Sequence, residues 1–148
     1  MSASPRVAII VSRFNRAVTD NLLEGAKAAA KEAGLAIGAA DVYPVPGAFE
    51  LPLVAQAVAR SGRYAGIVCL GAVIRGETPH FDYVCAEAAA GIQRVALEAG
   101  LPVAFGVLTT DTLEQAMARA GGDIGNKGRE ALVTVLETLH QLRRATEA

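Results

Sequence analysis

Ala65-Gly-Ile-Val-Cys-Leu-Gly-Ala-Val-Ile74 runs into Arg75-Gly-Glu-Thr-Pro-His80 and then into an alanine-rich stretch over residues 81–99. The first segment is a continuous apolar run rich in β-branched residues, the pattern of a strand buried on both faces. The last is apolar at helical spacing and stops at Gly100, a natural helix terminator. Strand, polar loop and long helix form the first half of a parallel crossover, because a helix of this length carries the chain back across a sheet. In an open α/β sheet, ligands bind beyond the carboxyl ends of the strands. The loop holds one of the chain's two histidines, so the best proton carrier stands where small-molecule chemistry is usually done.

The same alternation recurs on both sides of this unit. Residues 6–12 read as a strand, and residues 19–33 as a helix closed by Gly34. Residues 41–45 read as a weaker strand, in which Pro44 removes a ladder donor and favours an edge position. A helix over 51–60 and a strand over 102–108 follow. Thr112-Leu-Glu-Gln115 has the form of a capping box and opens a short helix to about residue 120. Gly121-Gly-Asp-Ile-Gly125 reads as a turn, after which Asn126 caps a last helix to about residue 144. Right-handed crossovers then place helices on both faces. The expectation is one domain over residues 1–148, a three-layer α/β/α sandwich of flavodoxin-like type with a four-stranded parallel sheet.

Composition narrows the function. Of 148 residues, 52% are hydrophobic and 20% charged, which is greasier than an average soluble domain. No apolar stretch approaches the roughly 20 residues of a membrane span, so the excess suggests surface buried in an oligomer and no membrane partner. A net charge of −1 without a basic stripe argues against nucleic acid. Met1-Ser-Ala-Ser-Pro-Arg6 lacks the apolar core of a signal peptide. Cys69 and Cys85 have no zinc-like spacing and read as reduced, buried thiols. A cytoplasmic protein is expected.

The four strand ends carry the polar chemistry. Ser12-Arg-Phe-Asn15, Pro46-Gly-Ala-Phe-Glu50, the His80 loop and Thr109-Thr-Asp111 should share one sheet edge. Phe14 reads either as a stacking platform for a flat heterocycle or as a ring tucked onto its own helix. Gly47 and Ala48 can present bare amides to a ligand. Glu50 sits in a first helical turn, where the dipole favours its charge. Thr78-Pro79 fits an N-cap followed by proline at the first helical position, with His80 in the first turn. The amides of Gly76, Glu77 and Thr78 suit an anion. Arg119 and Lys127 flank the glycine turn and read either as a phosphate clamp or as solvated cations. His140, late in the last helix, reads as a solvated residue. Gly125-Asn-Lys-Gly128 lacks P-loop spacing, and the first strand–helix turn lacks GxGxxG.

At these positions the sequence resembles the lumazine synthase family. The resemblance covers nearly the whole chain. It rests on Val45-Pro-Gly-Ala-Phe-Glu-Leu-Pro52, Gly71 through Tyr83, Phe105-Gly-Val-Leu-Thr-Thr110 and Gly125-Asn-Lys-Gly128, in order. It implies condensation of 5-amino-6-(D-ribitylamino)uracil with 3,4-dihydroxy-2-butanone 4-phosphate, giving 6,7-dimethyl-8-ribityllumazine, the penultimate step of riboflavin synthesis, with no cofactor and no metal. It implies that Phe14 stacks on the pyrimidine and that Ala48, Phe49 and Glu50 bind the ribityl chain. Ala72, Val73 and Ile74 would line the pyrimidine pocket through their backbone, and Glu77 and Thr78 would hold the phosphate-bearing substrate. His80 would transfer protons. Phe105, Arg119 and Lys127 resemble positions supplied by the adjacent subunit, Arg119 being the principal phosphate ligand. Glu130 matches an acid found in some members.

The resemblance also implies a homopentamer, which in the family builds a hollow shell, and it raises association with riboflavin synthase. Many members carry about ten more residues before the first sheet strand than the Met1–Pro5 segment seen here. Isolated pentamers are therefore expected over a shell. Two rivals from other classes are a non-catalytic flavin- or nucleotide-binding module of flavodoxin type and a structural oligomer that binds lumazine or riboflavin only as a ligand. Ser12-Arg-Phe-Asn15 supplies little of the Ser/Thr phosphate loop that the first requires. The joint presence of His80, Arg119 and Lys127 argues against the second.

Overall fold

A computed structural model describes residues 4–147 of the chain; Met1–Ala3, the start of the segment compared with the family's longer arm, lie outside the described residues. Strand β1 (Val7–Ser12) leads to helix α1 (Arg16–Glu32), strand β2 (Val42–Val45), helix α2 (Leu51–Arg60) and strand β3 (Gly66–Ile74). Helix α3 (His80–Ala99), strand β4 (Val103–Thr110), helix α4 (Leu113–Ala118), the short strands β5 (Ala120–Gly122) and β6 (Gly125–Asn126), and helix α5 (Lys127–Thr146) follow.

The main sheet has the order β2-β1-β3-β4, and every pairing in it is parallel. Helices cover both faces, and strand alternation explains how. Val7, Ile9 and Val11 of β1 face a core with Val18, Leu22 and Ala26 of α1 and Leu132 and Val135 of α5. Ala8 and Ile10 face the opposite core, built with Leu51, Ala55 and Val58 of α2 and Ala88, Ile92 and Val95 of α3. Pro44 pairs only with β1, because β2 is an edge strand. Its missing N–H therefore leaves no gap in the ladder.

Three features differ most from those expected. Helix α1 starts at Arg16 rather than near residue 19, because Asn15 takes a left-handed conformation (φ 63°) and its carbonyl accepts the amides of Val18 and Thr19. Strand β4 continues to Thr110, since its register with β3 holds as far as Ile74↔Thr110. The glycine turn is an antiparallel β5–β6 hairpin, and Gly125 supplies the positive φ of 120° it needs. Asn126 does cap α5, its Oδ1 accepting the Arg129 amide at 3.0 Å, while its Nδ2 donates to the Asn21 carbonyl at 3.0 Å. Cys69 is buried, but Cys85 is only half-buried. Burial pushes the Cys69 thiol up to about 12.

The two ends of the sheet differ in character. At the amino-terminal end a closed polar network ties β1, β2 and β3 together. Arg6 and the Tyr64 hydroxyl both donate to Asp41 Oδ1 at 2.9 Å, and the Tyr43 and Tyr64 hydroxyls meet at 3.0 Å. The carboxyl-terminal end carries the loops of Phe14, Phe49, His80 and Asp111. Among the described residues no helix is long and apolar enough to cross a membrane.

Candidate active site

The Phe14 turn is built as a continuation of the sheet. The Arg13 amide donates to the Val45 carbonyl at 2.8 Å and the Phe14 amide to the Pro46 carbonyl at 3.1 Å. On the other side, Asn15 Nδ2 donates to the Ala72 carbonyl at 3.0 Å. The turn is thus fastened to both neighbouring strands, and the Phe14 ring stands 70% exposed. The ring is therefore not buried against its own helix. No pattern in the sequence marks Asn15 as the residue that aims it. The same bond engages the carbonyl of Ala72, one of the backbone groups expected to line the pyrimidine pocket.

The next wall is a 3-10 turn over Ala48–Glu50. Glu50 stands at the N-cap of α2 rather than inside its first turn. Its Oε1 accepts the Gly47 amide at 2.8 Å. Gly47 therefore does not offer a bare amide, since the carboxylate holds it and the bond rigidifies the turn. Ala48 is buried, and Phe49 points outward at 56% exposure. Val73 and Ile74, at the end of β3, are half-buried.

Beyond β3, residues 75–80 are all exposed. Thr78 is not the N-cap of α3. Pro79 occupies that position (φ −69°, ψ 2°), no side chain caps the helix, and His80 is its first residue. Proline suits a helix start because its φ is already set and its missing N–H would have no intrahelical partner. Phe81 is buried and anchors the turn. Arg75 organises it from the other side. Its amide donates to the Thr110 carbonyl at 2.8 Å. Its Nε meets Asp111 at 2.8 Å and its Nη1 meets Asp82 at 3.4 Å. Its guanidinium lies 4.3 Å from the Phe81 ring centroid. The hydrogen bond to Asp111 raises the guanidinium pKa further. The sequence shows Arg75 only as a loop cation, because Asp111 is brought to it by strand pairing.

Phe105, Arg119, Lys127 and Glu130 line an open cleft of about 710 Å³, together with Arg75, Phe81 and Asp111. The hairpin makes this grouping: the Lys127 amide donates to the Arg119 carbonyl at 2.8 Å. Arg119 Nη1 donates to the Gln115 carbonyl at 3.0 Å. Gln115 in turn completes the expected capping box with Thr112, whose Oγ1 accepts the Gln115 amide at 3.1 Å. Phe14, Phe49, Glu50 and His80 are not among the walls of this cleft. His80 directly precedes Phe81, which is one of those walls. Among the described residues no group of three or more His, Cys, Asp or Glu is placed to hold a metal ion.

Residues 4–143 match the family model of 6,7-dimethyl-8-ribityllumazine synthase. The chain belongs to that family. Its curated relatives include a 6,7-dimethyl-8-ribityllumazine synthase of Protochlamydia amoebophila, 54% identical over 134 residues, covering 90% of this chain and 78% of the relative. One of Desulfatibacillum aliphaticivorans is 55% identical over 135 residues, covering 91% and 87%. A 6,7-dimethyl-8-ribityllumazine synthase 1 of Caulobacter vibrioides is 52% identical over 143 residues, covering 97% and 94%. The chain is therefore an enzyme of the lumazine synthase family, and the riboflavin-pathway condensation expected from its sequence is its reaction.

Proposed function

We propose that each lumazine-forming site is shared by two copies of this chain, each a single domain over residues 1–148. One copy supplies Phe14, Ala48, Phe49, Glu50, Ala72, Val73, Ile74, Glu77, Thr78 and His80. Its neighbour supplies Phe105, Arg119 and Lys127. The observation that carries this reading is that Phe105, Arg119 and Lys127 line one cleft whose walls do not include Phe14 or Glu50. The exposed rings of Phe14 and Phe49 also need a covering surface. A heterologous ring contact provides one and closes without a two-fold axis; the assembly proposed is a homopentamer in the cytoplasm.

In this arrangement Phe14 stacks on the pyrimidine, whose flat face suits an aromatic ring. Glu50, with Oε1 holding its own turn, offers Oε2 to the ribityl hydroxyls. Arg119 grips the phosphate of the butanone substrate through its planar fork, and Lys127 adds a point charge. The 5-amino group attacks the ketone to give an imine with loss of water; loss of the C3 proton and of phosphate then leaves an enol that tautomerises to a new ketone, and the ribitylamino nitrogen adds to that carbonyl and expels a second water to close the ring. His80 moves protons in these steps. Much of the acceleration is alignment of two reactive molecules, so the chain's own groups suffice without cofactor or metal.

Mixed oligomers test the shared site. His80→Asn and Arg119→Ala proteins, each impaired alone, are unfolded and refolded together, and product is followed by lumazine fluorescence. Sites that pair an intact His80 with an intact Arg119 of the neighbour restore part of the rate. Activity no higher than the sum of the separate variants overturns the reading. Sedimentation gives the assembly state, and co-sedimentation with riboflavin synthase tests that proposed partnership.

A further inference from the structure

We propose that Arg75 is a positioning residue that sets the geometry of the His80 turn and ties it to the border of the phosphate cleft. The inference rests on the reading of His80 as the proton-transfer group. The turn needs such a device. Residues 75–80 are exposed, Gly76 adds backbone freedom, and α3 begins without a side-chain cap. Two anchors remain. Phe81 is buried and holds the helix to the core. Arg75 holds the residues next to His80 to the end of β4. One guanidinium stacks 4.3 Å from the Phe81 ring centroid, reaches Asp82 through Nη1 at 3.4 Å, and reaches Asp111 through Nε at 2.8 Å. Phe81 and Asp82 directly follow His80, and Asp111 directly follows Thr110, whose carbonyl accepts the Arg75 amide at 2.8 Å.

Only a planar fork serves all three contacts. Arginine donates from Nε and Nη in different directions while its face remains free to stack. Lysine supplies one point charge and can satisfy one acid or the ring. With Phe81 buried, the helix persists without Arg75. What is lost is the orientation of its first residue, to which proton transfer is sensitive. Arg75 also lines the cleft of Arg119, so a direct phosphate contact is the competing role.

Kinetics separate the two. Arg75→Met, which keeps an apolar stem on Phe81, lowers kcat about 10-fold, less than the ~100-fold that a ~1 Å displacement can cost. KM for both substrates stays within about twofold of the parent, and Arg75→Lys recovers only part of the loss. Asp111→Asn, which weakens the far anchor alone, acts in the same direction and by less. In the His80→Asn background Arg75→Met costs less than about twofold, because it acts through His80. A raised KM for the butanone phosphate with unchanged kcat, or the same loss in both backgrounds, overturns the proposal.

A readout without turnover accompanies these. The chain has two histidines, so imidazole proton NMR shows two sets of signals, assigned with His140→Gln. Arg75→Met moves or broadens the His80 signal and leaves that of His140 in place. Both signals unchanged in Arg75→Met and in Asp111→Asn overturn the proposal. If His80→Asn itself keeps the full rate, the reading of His80 fails, and the NMR result still decides whether Arg75 positions the turn.

Discussion

The Lys127 amide donates to the Arg119 carbonyl at 2.8 Å, so two cations separated in sequence by the β5–β6 hairpin leave the backbone side by side. Both are half-buried, which limits how far they swing and suits them to a phosphate. Arg119→Ala is expected to weaken the phosphate-bearing substrate by about 1.5–3 kcal/mol, roughly 10- to 150-fold. The pyrimidine should be little affected. Arg119→Lys should recover only part, since the bidentate fork is lost. Steady-state kinetics with each substrate varied in turn check this; a raised KM for the pyrimidine alone would falsify the assignment.

Asn15 has a double duty that substitution can split. It holds a left-handed backbone (φ 63°) and bonds the Ala72 carbonyl. Asn15→Ala loses both and is expected to cost about 1–3 kcal/mol. Asn15→Gly keeps the backbone conformation and should recover about 1 kcal/mol of that. Both should raise KM for the pyrimidine, because Phe14 is no longer tied to β3. Urea unfolding and kinetics on the pair give the two effects separately. Equal stability of the two variants would show that the backbone strain is not there.

Gly128 belongs to the Gly125-Asn-Lys-Gly128 motif, yet its own role is packing. A β-carbon there would run into the Leu22 carbonyl where α5 crosses α1. Gly128→Ala is expected to destabilise by about 1–3 kcal/mol through overpacking, lowering Tm by about 2–4 °C for each kcal/mol. The folded fraction should keep the parent KM values. Thermal unfolding at fixed protein concentration checks this, and an unchanged Tm would place the glycine's role elsewhere.

Asp41 makes stability depend on acidity. Desolvation raises its pKa, but the Gly38 amide, the Tyr64 hydroxyl and Arg6 together outweigh it and hold the carboxyl below its ordinary 3.8. A carboxylate more acidic in the folded state contributes stability that is present above the unfolded-state pKa and is lost as pH falls through the folded one. Asp41→Asn should therefore destabilise at pH 7 by about 1.5–3 kcal/mol, the range for hydrogen bonds to a charged group. The gap to the parent should close as pH drops below about 4. Chemical unfolding at a series of pH values measures it. A gap that stays constant down to the lowest pH would mean that the charge contributes nothing.

Much of the architecture is a local matter and was legible in the chain. The run from Gly66 to Ile74 and the helix that follows it, the edge assignment of Pro44, and the caps at Thr112 and Asn126 depend on neighbours a few residues away. The polar clusters after each strand could also be read, because a parallel sheet must bring like ends to one edge. Tertiary structure alone decided how those ends are fastened. Asn15 reaches the Ala72 carbonyl, Arg75 reaches Asp111, and Lys127 reaches Arg119 only after strand pairing and the hairpin have closed the distance. The corrections at Glu50 and Pro79 are local by contrast: Glu50 takes the amide of Gly47 three residues before it, and α3 starts after Pro79 with no side-chain cap. The sequence determined which chemical groups stand at the sheet edge; the fold decided which of them hold one another and which remain free for a ligand.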